Sequence, residues 1–515
     1  MKKEIIIIVT TLLVSLIIVL GCDTKNNHNH PIPSNPLPSL KAVVNGTEPG
    51  IIVDSSGRQV LLRGVNVNSH IEYWQYDPNI ATNYPFTDND ADLIASMGWN
   101  MVRLAISWSR VEPKPGEYDE SYLDEVAVSV DMLSKRGIYT LIDLHQDAWG
   151  ASLAALPGTI CTEGKPAQGW DGAPEWATFD DGEPRCEKGP RELTPAVRAA
   201  WVNFFKNKIG PGDIGIQTRY INMFAHLVKR FAHENSVAGY DIMNEPNQFL
   251  EETYKSLSQF YEKALKAMRQ AEKEIGAPKR LFFFEPTIAW QAVGFPAPEP
   301  FNHDDQVVFS PHIYQEGIND GTLEEGFARA VKETIELYNG APVVTGEWGG
   351  SPSRAKDAKD DYFKRHLYEQ DHNQFGATIW SWHTSCGDPH AYYYAARNGN
   401  VANVWGFFNQ NCEDNSYQGM RIEYVDVIQK MAIRFAPGPL DQVKWSMDDT
   451  EISAYGSKSQ TGNLIEVFVP TTNPKLIQVK ASGLGMIQST PWFKGSLFYA
   501  PAIGGPWSIK IKDTS

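Results

Sequence analysis

From residue 41 to residue 436 the chain alternates short apolar runs with longer stretches carrying an apolar residue every three or four positions. Runs of the first kind suit buried parallel strands and stretches of the second suit amphipathic helices. Strands are predicted at Val60–Asn66, Asn100–Ile106 and Ile138–Leu144, and again near Val237, Leu281, Val307, Val343 and Thr378. Helices are predicted from Phe86 to Met97, opened by Thr87 or Asp88 and stopped by Gly98, and from Tyr118 to Arg136, stopped by Gly137. Leu250, Tyr254, Leu257, Tyr261, Leu265 and Met268 mark a further helical face. Eight strands with helices between them predict an α/β fold, a (β/α)8 TIM barrel. After residue 437 the period shortens to two, as in Leu464–Val469 and Trp507–Ile511, with Gly and Pro turns between. Residues 437–515 are therefore expected to form a β-sandwich.

The connection from Ala148 to about Ser236 is far longer than one helix needs, and long rim insertions tend to be functional. It holds Trp170, Trp176, Cys161 and Cys186. Ahead of the barrel, Lys2 and Lys3 precede an apolar run from Ile5 to Leu20, which reads as a signal peptide over residues 1–21. Val19-Leu20-Gly21-Cys22 resembles a bacterial lipobox, so Cys22 is a candidate for lipidation. Residues 22–40, rich in Asn, His, Pro and Ser, read as the tether of that anchor. These features point to an exported lipoprotein of the bacterial surface or periplasm, or alternatively to a secreted protein.

Export permits disulfides. Cys161, Cys186, Cys386 and Cys412 allow three pairings, of which Cys161–Cys186 with Cys386–Cys412 is the nearest in sequence. A zinc site has no Cys-x-x-Cys or matching His spacing to support it, so no metal and no cofactor is expected. The 46 Lys and Arg against 62 Asp and Glu give a formal charge of −16, which argues against a nucleic-acid partner. A monomer is expected.

Two glutamates carry the candidate chemistry. Glu245 lies in Tyr240-Asp241-Ile242-Met243-Asn244-Glu245-Pro246 and Glu347 in Val343-Val344-Thr345-Gly346-Glu347-Trp348. Both follow apolar runs, which places them at strand ends, the catalytic rim of a βα barrel. Two carboxylates converging on one pocket are what cleavage of a glycosidic bond requires.

Other predicted strand ends carry Arg103, Asp143-Leu144-His145-Gln146-Asp147, His312-Ile313-Tyr314 and Trp380-Ser381-Trp382-His383. With Asn244-Glu245-Pro246 and Gly346-Glu347, these motifs resemble glycoside hydrolase family five over roughly residues 58 to 385. Ser107-Trp108-Ser109-Arg110-Val111-Glu112-Pro113, Pro115-Gly116-Glu117-Tyr118 and Gly172-Ala173-Pro174-Glu175-Trp176-Ala177-Thr178 are most similar to the endoglycoceramidases. Two positions depart from that pattern. Asn66-Val67-Asn68-Ser69-His70 lacks a lysine expected near the sugar, and Glu285 stands where a glutamine is familiar.

The resemblance implies a retaining β-glycosidase acting on a glycolipid or other β-glycan, with a bond between oligosaccharide and ceramide as the leading substrate. The alternatives are a cellulase-type endo-β-glucanase, an exo-acting β-glucosidase or glucosylceramidase, and an inactive carbohydrate-binding surface lipoprotein. Glu347 is then expected as the nucleophile, ionised by Arg103 and hydrogen-bonded by Tyr314, and Glu245 as the acid/base, tuned by His312. Asn244 is expected on the sugar 2-hydroxyl, His145 and Asp147 on other hydroxyls, and Trp382 under the reacting ring. The 148–236 insertion, especially Trp176, and the loop after strand eight are expected to wall the aglycone side. Asp388 and His390 read as loop structure.

Overall fold

A computed structural model describes residues 37–247, 253–301, 304–350, 361–391, 405–446 and 448–514. The segment read as a signal peptide, Cys22, the segment read as a tether up to residue 36, and Leu250 lie outside the described residues. Eight parallel strands form one sheet: β1 (Arg63–His70), β2 (Met101–Ser107), β3 (Tyr139–His145), β4 (Val237–Asp241), β5 (Leu281–Phe284), β6 (Val307–Phe309), β7 (Val344–Trp348) and β8 (Gly376–Ile379). Their spatial order is β6-β5-β4-β3-β2-β1-β8-β7. Bridges from Phe309 to Val343 and from Ile313 to Trp348 join β6 to β7 and close the ring. The strands are buried along nearly their whole length, which is why they read as continuous apolar runs.

The helices end where the sequence signals place them. Helix Asp88–Ser96 begins with a capping box between Thr87 and Asp90, and helix Glu120–Ser134 is capped by Asp119. No helix among the described residues is long and apolar enough to cross a membrane.

The C-terminal strands form two layers. One sheet has seven strands and the other has the four strands Gln442–Trp445, Glu451–Gly456, Trp507–Asp513 and Ile477–Ser482. Ile433, Ile452, Val467, Ile509 and Ile511 are buried between them. Three of those seven strands, Leu40–Val43, Ile51–Asp54 and Gln59–Val60, come from ahead of the barrel, with Val60 opposite Phe435. Leu37, Leu40 and Ala42 pack with Met101, Tyr139, Leu281 and Val344 across the lower end of the barrel. Ordered packing therefore starts within the segment read as tether. The sandwich docks on helix Asp88–Ser96, where Trp492 Nε1 donates to the Ala95 carbonyl at 3.0 Å. Gly98, at φ +81°, ends that helix, and a Cβ there would meet the Phe468 ring at 2.2 Å.

Within the long insertion Cys161 is bonded to Cys186, and in the segment after β8 Cys386 is bonded to Cys412, with Cα separations of 5.8 and 5.6 Å.

Candidate active site

The eight strand ends converge on a buried guanidinium. Arg103 projects inward from the middle of β2, fully buried. Its Nη1 donates to Glu347 Oε1 and Asn66 Oδ1, both at 3.0 Å. Its Nη2 reaches Glu285 Oε1 at 2.8 Å and Asn244 Oδ1 at 3.0 Å, with Asp143 Oδ1 at ion-pair distance, 3.0 Å. Its Nε donates to Asp241 Oδ2 at 3.0 Å. One cation thus ties together β1, β2, β3, β4, β5 and β7. Burying it would be very unfavourable without these anions.

Glu347 ends β7 and is 6% exposed. Tyr314 donates its hydroxyl to Oε2 at 2.9 Å, while Arg103 holds Oε1. Burial pushes the Glu347 carboxyl above its ordinary range; His312 and Arg103 oppose this and neighbouring Glu245 adds to it. Arg103 therefore limits the rise without reversing it.

Glu245 follows β4 in a left-handed backbone conformation, φ +38°, uncommon for a residue with a side chain. Three groups pin it there. Glu285 Oε2 accepts its N–H at 2.8 Å, Gln146 Nε2 donates to its carbonyl at 3.2 Å, and His312 Nδ1 meets its Oε1 at 2.9 Å. Gln291 also donates to Oε1, at 2.7 Å. Carboxylate oxygens of Glu245 and Glu347, together with a His312 nitrogen, all lie within 4.8 Å of one another. Carboxyl groups of retaining glycosidases lie about 5–5.5 Å apart and those of inverting ones about 6.5–9.5 Å. Oxygens within 4.8 Å of each other suit the close pair of a retaining enzyme better than the wide pair of an inverting one.

Above the pair opens a pocket of about 400 Å³. His145, Asp147, Asn244, Tyr314 and both glutamates line it. His145 is held by Asp143 at 2.7 Å; burial lowers its value, but Asp143, with Asp171 and Glu347, pushes it up to about 9. Against its own burial, Arg191 and His390 hold Asp147 well below the usual carboxylate range. Burial pushes the adjacent Asp171 up to about 8, with Asp147 adding to the rise.

Two aromatic assignments change. Trp382 is 0% exposed, donates to Asp90 Oδ1 at 3.1 Å and packs on Phe407 and Phe408, so it does not reach the pocket. Trp380 lines the pocket instead and lies parallel to His145, centroids 5.0 Å apart. Trp176 does not line the pocket either. It donates to the Glu112 carbonyl at 3.0 Å and packs edge-on against Trp108, holding the insertion to the barrel. The insertion reaches the pocket through Pro190, Arg191 and Glu192. His390 and Asp388 are more than loop structure. His390 lines the pocket 3.4 Å from Asp147, and Asp388 holds its Nδ1 at 2.9 Å. The apolar lining beside Glu245 comes from Ile288 and Ala292 of the short helix Ile288–Val293, with Ile318 opposite.

These placements predict that Trp380→Ala weakens sugar binding by about 1–3 kcal/mol through lost apolar contact, read as a higher KM. Trp382→Ala should instead lower the thermal midpoint, since it opens a cavity and removes one of the donors that, with His383 and Thr87, hold buried Asp90.

Glu285, Gln291, Arg191, His390 and Trp405 at the pocket or its base were not singled out as binding groups in the sequence. Glu285 alone carried a signal, as a departure from the family pattern. Asn66, in the Asn66–His70 stretch that lacks the expected lysine, serves Arg103 and donates to the Gly346 carbonyl at 3.1 Å.

A (β/α)8 barrel bearing two carboxylates at this spacing, one beside a buried Arg and Tyr and the other beside a His, defines a glycoside hydrolase site. A family model for cellulase (glycosyl hydrolase family 5) matches residues 53–385, and the chain belongs to that family. It is 29% identical over 309 residues to endoglycoceramidase I of Rhodococcus hoagii (strain 103S), covering 55% of this chain and 54% of that one. It is 25% identical over 303 residues to an endoglycoceramidase of Hydra vulgaris, covering 52% and 54%. The chain thus spans about half the length of these curated relatives. Among solved structures, a crystal structure of endogalactoceramidase superposes with a TM-score of 0.82 at 33% identity, covering 93% of this chain and 100% of that one. Endo-glycoceramidase II from Rhodococcus sp., solved as a lactosyl-enzyme intermediate, shares the fold with a TM-score of 0.66 at 22% identity.

Proposed function

We propose that the protein is a retaining β-glycosidase that cleaves glycosphingolipids between the sugar and ceramide. The observation that carries this reading is the two-sided pocket around the carboxylate pair. His145, Asp147, Arg191, His390 and Trp380 offer hydrogen bonds and a stacking face for a glycone. Ile288, Ala292 and Ile318 offer an apolar approach beside the acid/base, with Val293 63% exposed at the end of the same helix. A lipid aglycone gains about 0.8 kcal/mol per buried CH₂ from such a surface. Similarity to an endogalactoceramidase over that chain's whole length supports the same substrate class.

Glu347 attacks the anomeric carbon while Glu245 protonates the departing ceramide oxygen. Glu245, now ionised, then takes a proton from the water that releases the sugar. Tyr314 and Arg103 hold the nucleophile in line, and Asn244 faces the sugar 2-hydroxyl. We further propose export and lipid tethering at Cys22, which would keep the enzyme at a membrane surface. Mass spectrometry of the mature N-terminus tests this, and an unmodified terminus elsewhere refutes it.

The substrate is tested with one oligosaccharide joined either to ceramide or to a short alkyl chain. A higher kcat/KM on the ceramide glycoside is expected. Equal values, or activity on cellulose-type polymers with none on glycosphingolipid, would favour a soluble β-glucan substrate.

A further inference from the structure

Glu285 follows the last residue of β5 and is 1% exposed. Its two oxygens serve different partners. Oε1 meets Arg103 Nη2 at 2.8 Å and lies in ion-pair contact with His312 Nε2 at 3.1 Å. Oε2 accepts the backbone N–H of Glu245 at 2.8 Å. One carboxylate therefore touches the main chain of the acid/base directly and its side chain through His312, whose Nδ1 lies 2.9 Å from Glu245 Oε1.

That arrangement decides where the acid proton of Glu245 resides. Oε1 already faces two nitrogens, His312 Nδ1 at 2.9 Å and Gln291 Nε2 at 2.7 Å. Gln291 Nε2 is a donor only. If His312 Nδ1 also donates, Oε1 is filled and the acid proton sits on Oε2, free for the leaving oxygen. If His312 is neutral with its hydrogen on Nε2 toward Glu285, Nδ1 becomes an acceptor. It would then draw the proton of Glu245 onto Oε1, away from the substrate. Donation from both ring nitrogens requires an imidazolium.

We propose that Glu285 is a positioning residue that, by holding His312 as an imidazolium, places the acid proton of Glu245 on Oε2. The proposal rests on the glycosidase reading above and adds a part to it.

The surroundings of His312 agree. It faces Glu245 from the loop after β4, Glu285 from β5 and Glu347 Oε2 from β7 at 3.6 Å. Asp241 is near enough to feel its charge, and burial drives that carboxyl well up. Arg103 lies beyond Glu285, and the Tyr314 ring is 6.5 Å away. Burial alone would discharge His312, but the charges of Glu285, in ion-pair contact at 3.1 Å, and of Glu347, with the hydrogen bond to Glu245, carry it well above an ordinary histidine. Removing the Glu285 charge lowers the His312 value. The active form is the charged one, so activity persists below that value and is lost as pH rises through it. This moves the alkaline limb of the rate profile downward.

The test is Glu285→Gln, which keeps an oxygen and a nitrogen at the site but removes the charge. On glycosphingolipid the alkaline limb of kcat/KM should fall by about one pH unit or more, with roughly tenfold loss above it. On a dinitrophenyl glycoside, whose leaving group needs no proton, kcat/KM should change less than about threefold. Equal losses on both substrates, with both limbs unmoved, would overturn the proposal and leave Glu285 as a structural anion. If the variant fails to fold, NMR of the wild-type His312 ring decides. Imidazolium shifts retained through pH 8 are expected, and a neutral ring at pH 7 overturns the proposal. Wild-type rates on the two substrates test the glycosidase reading separately, since the ring measurement does not depend on turnover.

Discussion

Glu347→Gln should lower kcat on every substrate by about 10⁶-fold, the scale seen when an enzyme loses its nucleophile. The amide fits the same space and can still meet Arg103 and Tyr314, so folding and substrate binding should survive. What it cannot do is form the glycosyl ester. Glu245→Ala should behave differently. It should lose about 10²–10⁴-fold on glycolipids, whose alkoxide leaving group needs a proton. A dinitrophenyl glycoside should still form the glycosyl-enzyme at close to the wild-type rate. That intermediate should then accumulate, because no base remains to activate water. Azide, which attacks without such help, should restore turnover and yield a β-glycosyl azide. Rescue of the Glu347 variant as the β-glycosyl azide, with the α-azide from Glu245→Ala, would show that the roles are exchanged.

Arg103→Leu carries the second large effect, and it falls on the fold as well as on the site. The side chain is fully buried and contacts Asp143, Asp241, Glu285 and Glu347. Removing one partner of a buried ion pair costs about 3–5 kcal/mol, because the remaining charge is left unpaired. Here four carboxyl groups lose their shared cation together. Burial already pushes the carboxyls of Asp241 and Glu347 upward, and without Arg103 both should rise further. The variant should unfold at markedly lower urea concentration, and any folded fraction should be inactive near neutral pH with Glu347 protonated. Unchanged stability would mean that the carboxylates do not depend on this guanidinium.

The sequence carries the barrel because each strand is a short run of apolar residues buried on both faces, and the pattern survives without any knowledge of partners. Glu245 and Glu347 were visible for the same reason: both stand just where such a run stops. The misses share a different cause. Beyond Ile379 strand β8 has ended, so strand periodicity no longer says which way a side chain turns. Trp382 is drawn inward by Asp90, far away in sequence, and Trp380 takes the place beside His145. Trp176 looked exposed to substrate because its loop is long, yet its indole is spent on the Glu112 carbonyl. Glu285 stood out as an acid where a glutamine is familiar, but its work depends on Arg103, His312 and the Glu245 amide, which only the closed barrel brings together. The apolar lining from Ile288, Ala292 and Ile318 was silent too, since one short helix and one loop share it. The N-terminal strands give no sandwich signal of their own, because their partner Ala432–Ala436 lies nearly 400 residues on.

The measurement that tests the whole account most directly is the configuration of the sugar first released from a glycosphingolipid, followed by proton NMR before mutarotation. Double displacement at Glu347, with Glu245 within 4.8 Å, predicts release of the β-anomer and free ceramide. First appearance of the α-anomer, or no sugar released from any ceramide glycoside, would contradict it.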